Sequence, residues 1–271
     1  MPRASLVVQI ALGAALVLQL LAPLALAAEP VYISIIIDDI GHSPSAGKRA
    51  INLPADLTYA VIPDAMHATQ LARYAHESGK EVMLHMPMEN VHRRPMGSLA
   101  LTSGLTTDQF VSNFTNAVER VPFAIGINNH MGSALTQEPG AMQLFMSLVR
   151  QHQLYFVDSR TTPMTVASDM ARRQDIRTAS RDVFLDNERN LFAIDQQFRK
   201  LIRKARQKGS AIGIGHPYGV TLEYLERALP MMQAENVQII PVSDMLMRRN
   251  TLRQLAAKSS DSAEQVDQPG V

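Results

Sequence analysis

The stretch Val31-Tyr32-Ile33-Ser34-Ile35-Ile36-Ile37-Asp38-Asp39-Ile40-Gly41 is a β-branched, nearly continuous apolar run that ends on two carboxylates. Such a run predicts a strand buried on both faces of a parallel sheet, where the usual alternation of wet and dry faces is lost. Similar short runs recur at 57–62, 82–84, 123–127, 154–157, 211–214 and 237–242. Helical patterns lie between most of them, at 69–77, 141–151, 191–207 and 222–234. A further helix opens after Thr106, whose spacing to Gln109 is that of a capping box. Strands alternating with helices imply βα units, right-handed crossovers and a parallel sheet. Seven or eight such units favour a barrel over an open sheet, so the expected fold class is α/β.

The polar residues fall where a barrel keeps its chemistry. Asp38 and Asp39 follow the first strand, His85 the third, Asn128, Asn129 and His130 the next, Asp158 the next, and His216 the Gly213-Ile214-Gly215 strand. All stand at expected carboxyl ends, the face whose loops converge on one mouth. Two adjacent carboxylates leaving a buried strand cost desolvation energy, which a bound cation offsets; capping of the next helix is the other use of such a pair. Neighbouring side chains on a strand diverge, so one can ligate while the other stays free as a base.

His85, with Glu89 four residues on, supplies two ligand types that zinc accepts. His130 would join Asp39 and His85 to give the three protein ligands of a catalytic zinc site, while Asn129 and its neighbour Asn128 suit the bonding of buried backbone groups in a tight turn. Asp158 is placed either to orient a ring nitrogen of a catalytic histidine or to pair with Arg160. Asp186, beside an apolar trio, is a further candidate. His216, between Gly215 and Pro217, suits a general acid that titrates in the working range. His42, His92, Arg93 and Arg94 read as loop residues.

Composition narrows the chemistry further. The 271 residues include 26 Lys+Arg, 25 Asp+Glu and no Cys. Disulfides, thiolate metal sites and cysteine nucleophiles are thereby excluded, and any metal falls to His, Asp and Glu. A net charge of +1 offers no field for nucleic acid. Glycine-rich phosphate loops and serine elbows are missing as well. No charged residue lies between Arg3 and Glu29, and the apolar run closes on Ala25-Leu26-Ala27. That pattern reads as a secretory signal of residues 1–27 cleaved after Ala27, with an uncleaved membrane anchor as the other use of so long a run. A single folded domain is expected over 28–250 and a flexible polar tail over 251–271. Removal of the signal leaves equal numbers of acidic and basic residues, in a periplasmic or otherwise exported protein.

Taken jointly, Ile37-Asp38-Asp39-Ile40-Gly41, Leu84-His85-Met86-Pro87-Met88-Glu89, Asn129-His130-Met131-Gly132 and Gly215-His216-Pro217 resemble the motifs of polysaccharide deacetylases of the NodB-homology type. The likeness is closest to their divergent branch and spans about residues 31–246. It implies a distorted (β/α)7 barrel and metal-dependent removal of acyl, chiefly acetyl, groups from an amide or ester on a sugar. By the same resemblance Asp38 is the base, Asp39 a metal ligand and His216 the acid. A His-x-x-x-His pair normally completes the metal site, whereas here His85 is followed by Glu89. The usual Arg-Pro-Pro-Tyr segment is replaced by Asn129-His130-Met131-Gly132. His130 therefore ranks ahead of Glu89 as third ligand, with zinc the expected divalent metal. An acylated saccharide or peptidoglycan-like glycan is the expected partner. The departures also raise an alternative: a glycan-binding or envelope-scaffold protein that keeps the barrel without turnover. With 5% aromatic residues and no Trp, a small acylated saccharide is no less expected than a long polymer.

Overall fold

Nine strands and eight α-helices alternate along residues 29–266, the part of the chain that the computed structural model describes. The expected signal segment and the last five residues of the expected tail lie outside the described residues. In chain order the elements are β1 (Val31–Ile40), α1 (Pro44–Ile51), β2 (Thr58–Val61), α2 (Ala68–Glu77), β3 (Glu81–Met88), α3 (Thr107–Arg120), β4 (Ala124–Met131), α4 (Pro139–Gln151) and β5 (Tyr155–Asp158). There follow α5 (Ala167–Arg173), β6 (Thr178–Ser180), β7 (Val183–Phe184), α6 (Leu191–Lys208), β8 (Ser210–Gly215), α7 (Gly219–Ala228), β9 (Val237–Ile239) and α8 (Val242–Val266).

All strand pairs are parallel, in the order β6-β5-β4-β3-β2-β1-β8-β7, with β9 added to β1. The end strands β6 and β7 do not pair with each other, so the sheet curls into an open, distorted barrel. The expected α/β barrel is the observed fold.

Period-two alternation divides the strand side chains between two apolar layers. Ile33, Ile35, Ile37, Leu84, Met86, Ile127 and Phe156 face the helices in the larger layer. Ile36, Ala60, Met83, Tyr155, Val157, Ile212 and Ile214 fill the interior, which Val242, Met245 and Leu246 of α8 complete. The start of α8 is held at the amino ends of the strands: Val242 N donates to Thr58 Oγ1 at 3.1 Å, and Ser243 N reaches the Glu81 carboxylate at 3.3 Å. With its amino end thus plugged, the barrel opens only at the carboxyl ends of its strands. The interior is tightly filled elsewhere too. A Cβ at Gly126 would lie 2.1 Å from the Tyr155 ring.

Several boundaries follow from single residues. Ser43 Oγ accepts from Ala46 N and Pro44 occupies the first turn, so α1 has its own cap and the Asp38–Asp39 pair is free of that duty. The Thr106–Gln109 capping box is present in both directions. The helix expected over 222–234 starts at Gly219 and yields at Leu229–Met231 to a 3₁₀ turn, because Pro230 has no N–H to continue the ladder. Helix α8 runs on to Val266 where a flexible tail was expected from 251. Leu252, Arg253, Gln254, Leu255, Ala256 and Ala257 are good helix formers, although all are exposed. No helix among the described residues is long and apolar enough to cross a membrane.

Candidate metal centre and active site

Strand parity decides which side chains reach the mouth. Ile36, Met83 and Ile214 point inward, and Asp38, His85 and His216, each two residues further, continue the same face at the carboxyl ends. Asp39 ought to point the other way. It does not, because β1 carries a bulge there: Ile37 pairs with Tyr59 but Ile40 with Val61, so β1 has one residue more than β2 over this interval. Asp39 takes the extra position with φ +58°, a left-handed conformation that aspartate tolerates better than most residues. The bulge turns both carboxylates of the pair into one site.

Asp39 Oδ1, His85 Nε2 and His130 Nδ1 form a nearly equilateral triangle. Its edges are 3.3 Å from Asp39 to His85, 3.0 Å from Asp39 to His130 and 3.1 Å between the two ring nitrogens. Ligand atoms on a four-coordinate zinc with bonds of about 2.0–2.1 Å stand about 3.3 Å apart, so the triangle fits that ion. Asp39 Oδ1 is buried and has no partner with hydrogen-bond geometry, despite the two nitrogens beside it. An acceptor buried without a donor is costly, whereas three lone pairs converging on one cation are satisfied together. His85 and His130 outweigh burial and hold the Asp39 carboxyl far below the usual range. The donor set of one carboxylate and two imidazoles is one that zinc accepts.

Asn128, fully buried, ties this triangle to Asp38. Its Nδ2 donates to Asp38 Oδ1 at 2.8 Å, and its Oδ1 lies 2.7 Å from His85 Nδ1. A side-chain carbonyl can only accept, so His85 carries its proton on Nδ1 and presents a lone pair on Nε2. The Asp38 carboxylate stands 3.6 Å from that same Nε2. Burial pushes the Asp38 pKa up, against the pull of His85, His216 and Asn128.

His216 sits across the site, with Nε2 3.9 Å from Asp39 Oδ2. Asp186, buried, accepts from the His216 backbone N at 2.7 Å and lies 2.9 Å from its Nδ1, while Thr221 Oγ1 donates to the same carboxylate at 2.9 Å. Burial opposes the charged imidazole, but Asp186 and then Asp38 and Asp39 raise its pKa to about 9. The ring is clasped between Phe184, at 6.0 Å and 10°, and Tyr218, at 5.3 Å and 26°. A guanidinium caps each end of this stack: Arg181 lies 3.9 Å over Phe184 and Arg189 3.7 Å over Tyr218.

The structure brings Asp38, Asp39, His85, His130, Asp186 and His216 together and leaves other expected residues outside. Glu89 accepts from Ser103 N and Oγ, both at 2.7 Å, pins the loop after β3 and does not join the Asp39–His85–His130 cluster. Asn129 does bond backbone groups, taking Ser159 N at 2.9 Å and donating to Met131 O at 2.7 Å. Asp158 neither orients a histidine nor pairs with the Arg160 side chain. It accepts from Arg160 N at 2.8 Å and from the Thr165 and Ser168 hydroxyls. As the residue after inward-facing Val157, it has the wrong parity for the site, and Asp186 fills the orienting role expected of it. Arg160 is exposed, and Arg181 is the guanidinium near the chemistry, donating to the Ser159 and Arg160 carbonyls at 2.7 and 2.9 Å. His42, His92, Arg93 and Arg94 are exposed. Arg181 and Phe184 are the contributors that sequence reading passed over, and Asn128, expected to bond backbone groups, instead bonds the His85 and Asp38 side chains. Inward parity with His130 singles out Asn128 in retrospect.

A curled parallel barrel with this arrangement at its carboxyl ends has the NodB-type deacetylase fold, as its structural relatives confirm. The chain belongs to the divergent polysaccharide deacetylase family, whose profile matches residues 35–246. Protein YibQ of Escherichia coli K12 is 36% identical over 214 residues, covering 79% of this chain and 67% of its own. Protein ATU2773 of Agrobacterium tumefaciens superposes with a TM-score of 0.76 at 20% identity, over 81% of this chain and 90% of that one. The peptidoglycan deacetylase PdaC of Bacillus subtilis, as its D285S mutant, gives 0.52 at 11% identity, over 84% and 97% of the two chains. BA3943 of Bacillus anthracis, described as a pseudoenzyme of carbohydrate esterase family 4, also gives 0.52 at 11%, over 80% and 66%.

Proposed function

We propose that the protein is an exported, metal-dependent hydrolase that removes acyl groups, acetyl foremost, from an envelope saccharide. The observation that carries this reading is the convergence of Asp39 Oδ1, His85 Nε2 and His130 Nδ1 within 4.8 Å, flanked by the Asp38 carboxylate and the Asp186-held His216. A divalent cation on that triangle, with zinc the best match to the donors, supplies Lewis acidity: it polarises the acyl carbonyl and eases the loss of a proton from water. Asp38 accepts that proton as water adds to the carbonyl. Its raised pKa makes it a better base than an ordinary aspartate. His216, protonated at neutral pH, gives its Nε2 proton to the departing amine or alkoxide, and the same proton inventory serves an amide or an ester. General acid–base assistance of this kind is worth about 10²- to 10⁴-fold.

The apolar segment before Glu29 supports export to the periplasm or cell envelope, and the peptidoglycan activity of PdaC supports an acylated glycan as substrate. The test is acetate release from acetylated envelope glycans by zinc-loaded protein, compared with Asp38→Asn. Release that disappears in the variant supports the reading. The second reading, a glycan-binding or scaffold protein without turnover, draws on the BA3943 pseudoenzyme of the same fold. It prevails if no acyl group is released from a broad panel while glycan binding is the same in wild type and Asp38→Asn.

A further inference from the structure

The stack around His216 has two unequal ends. At the inner end, Arg181 has lost much of its contact with water, and burial lowers its pKa to about 10. Its guanidinium is spent on the Ser159 and Arg160 carbonyls. At the outer end, Arg189 is exposed on the loop between β7 and α6. Its guanidinium carbon lies 3.7 Å over the Tyr218 ring, and Nη2 donates one N–H to the Tyr218 hydroxyl at 2.8 Å.

A guanidinium has five N–H donors, so most of those on Arg189 remain unused by Tyr218. No carboxylate pairs with it among the described residues, not even exposed Glu188 beside it in sequence. The group is held in place by stacking, aimed from one ring beyond the acid, and lacks a counter-charge.

Other carboxylates at the carboxyl ends of the strands are already engaged: Asp38 by Asn128, Asp186 by His216 and Thr221, and Asp158 by Thr165 and Ser168. The loop after β5 carries a second exposed guanidinium without a carboxylate partner, Arg160. Its backbone is fixed at φ +49° by Asp158 and Arg181. Both arginines belong to the side of the barrel where β6 and β7 fail to pair.

Planar guanidinium groups held rigidly are suited to two-point recognition of carboxylates. With equal numbers of acidic and basic residues after Ala27, the chain has no overall field to attract an anion. Preference for one must come from such a local contact.

We propose that Arg189 is a specificity-determining residue that binds a carboxylate on the substrate, so that the favoured substrate is an acylated saccharide with an acidic group on the same or a neighbouring sugar. The proposal rests on the hydrolase reading for the position of the acyl group, but its test reads binding.

The probes are the disaccharide N-acetylglucosaminyl-N-acetylmuramic acid and the same disaccharide with its lactyl carboxyl converted to the amide. Calorimetry on the zinc-loaded, full-length Asp38→Asn protein avoids turnover, and the carbonyl of the introduced amide remains an acceptor for Asn128. The acid form is expected to bind roughly ten- to a hundredfold more tightly than the amide, the range for a hydrogen bond to a charged group. Adding Arg189→Gln abolishes that preference, weakening the acid form far more than the amide, while Arg189→Lys restores part of it. Equal or undetectable binding of the two forms, or a preference that survives Arg189→Gln, overturns the proposal. A wild-type protein that keeps the carboxylate preference yet releases no acyl group from either form or from the wider glycan panel sinks the hydrolase reading and leaves this one standing.

Discussion

Replacing Asp186 with Asn removes the charge that holds His216, the proposed acid, while keeping the shape of the side chain. Asp186 makes three contacts, to His216 N, His216 Nδ1 and Thr221 Oγ1, and an asparagine oxygen can still accept from at least one donor. The imidazole is 19% exposed, and lifting its pKa from 6.5 to about 9 corresponds to about 3 kcal/mol in favour of the charged ring. Burial alone acts in the opposite direction, so without Asp186 the pKa drops to about 6.5 or below if the carboxylate supplies most of the lift. At pH 7.5 wild-type His216 is almost fully protonated, whereas with a pKa of 6.5 about a tenth is. The expected result is a fall in kcat of about tenfold at that pH. The alkaline limb of the pH–rate profile moves from near 9 down to about 6.5. Stability follows the same sign. A raised pKa stabilises the native state fully below 6.5 and loses that contribution as the pH climbs through 9, so Asp186→Asn lowers Tm clearly at pH 6 and little at pH 10. Acetate release as a function of pH and an NMR titration of the His216 ring make the measurement. An alkaline limb that stays near 9 in the variant would refute the reasoning.

Three further predictions concern separate parts of the architecture. His130→Ala is expected to abolish stoichiometric zinc binding and Glu89→Gln to preserve it, as measured by elemental analysis and titration; the opposite pattern would move the third ligand to Glu89. Asn128→Ala removes the acceptor that fixes the His85 tautomer, and zinc affinity should weaken about 10- to 100-fold in competition with a chelator. Gly126→Ala drives a methyl group into the Tyr155 ring, which cannot swing aside because its hydroxyl is bonded to Glu81 at 2.7 Å. A loss of about 1–3 kcal/mol or more in urea denaturation is expected; an unchanged midpoint would show that the interior yields more easily than its packing implies.

The long β-branched runs and the residues that follow them made the barrel and its mouth legible, because a strand buried on both faces has few other readings. The short strands β6 and β7 escaped notice for the opposite reason: three and two residues are too few for a periodic signal. Helix α1 announced itself only through Ser43-Pro44, a cap and first-turn pair that is easily taken for a loop. Within the site, residue type was enough to place side chains at the mouth where only one face was available, and not enough where neighbours competed. Asn128 and Asn129 are identical in type, yet one bridges Asp38 and His85 while the other ties down backbone, and one step of parity separates them. Asp186, and not Asp158, holds a histidine on the same ground. Asp39 obeys no parity count, since the bulge that turns it inward depends on pairing with β2.

The position of β1 also bears on when this chain can fold. Its first strand is completed by β8 and β9, more than 170 residues later, and the barrel interior receives its last side chains from residues 242–246. Contacts of such sequence separation form slowly, since the loop entropy must be met before any of them contributes. A nascent chain can pair β1 with β2 early but lacks the partners on the other side of that central strand until almost all of it has been synthesised. For a protein that must cross a membrane before it folds, as the proposed export requires, such a delay favours a transportable polypeptide: Asp39, His85 and His130 lie on strands that pair early, but His216, which follows β8, joins them only when the far end of the chain arrives.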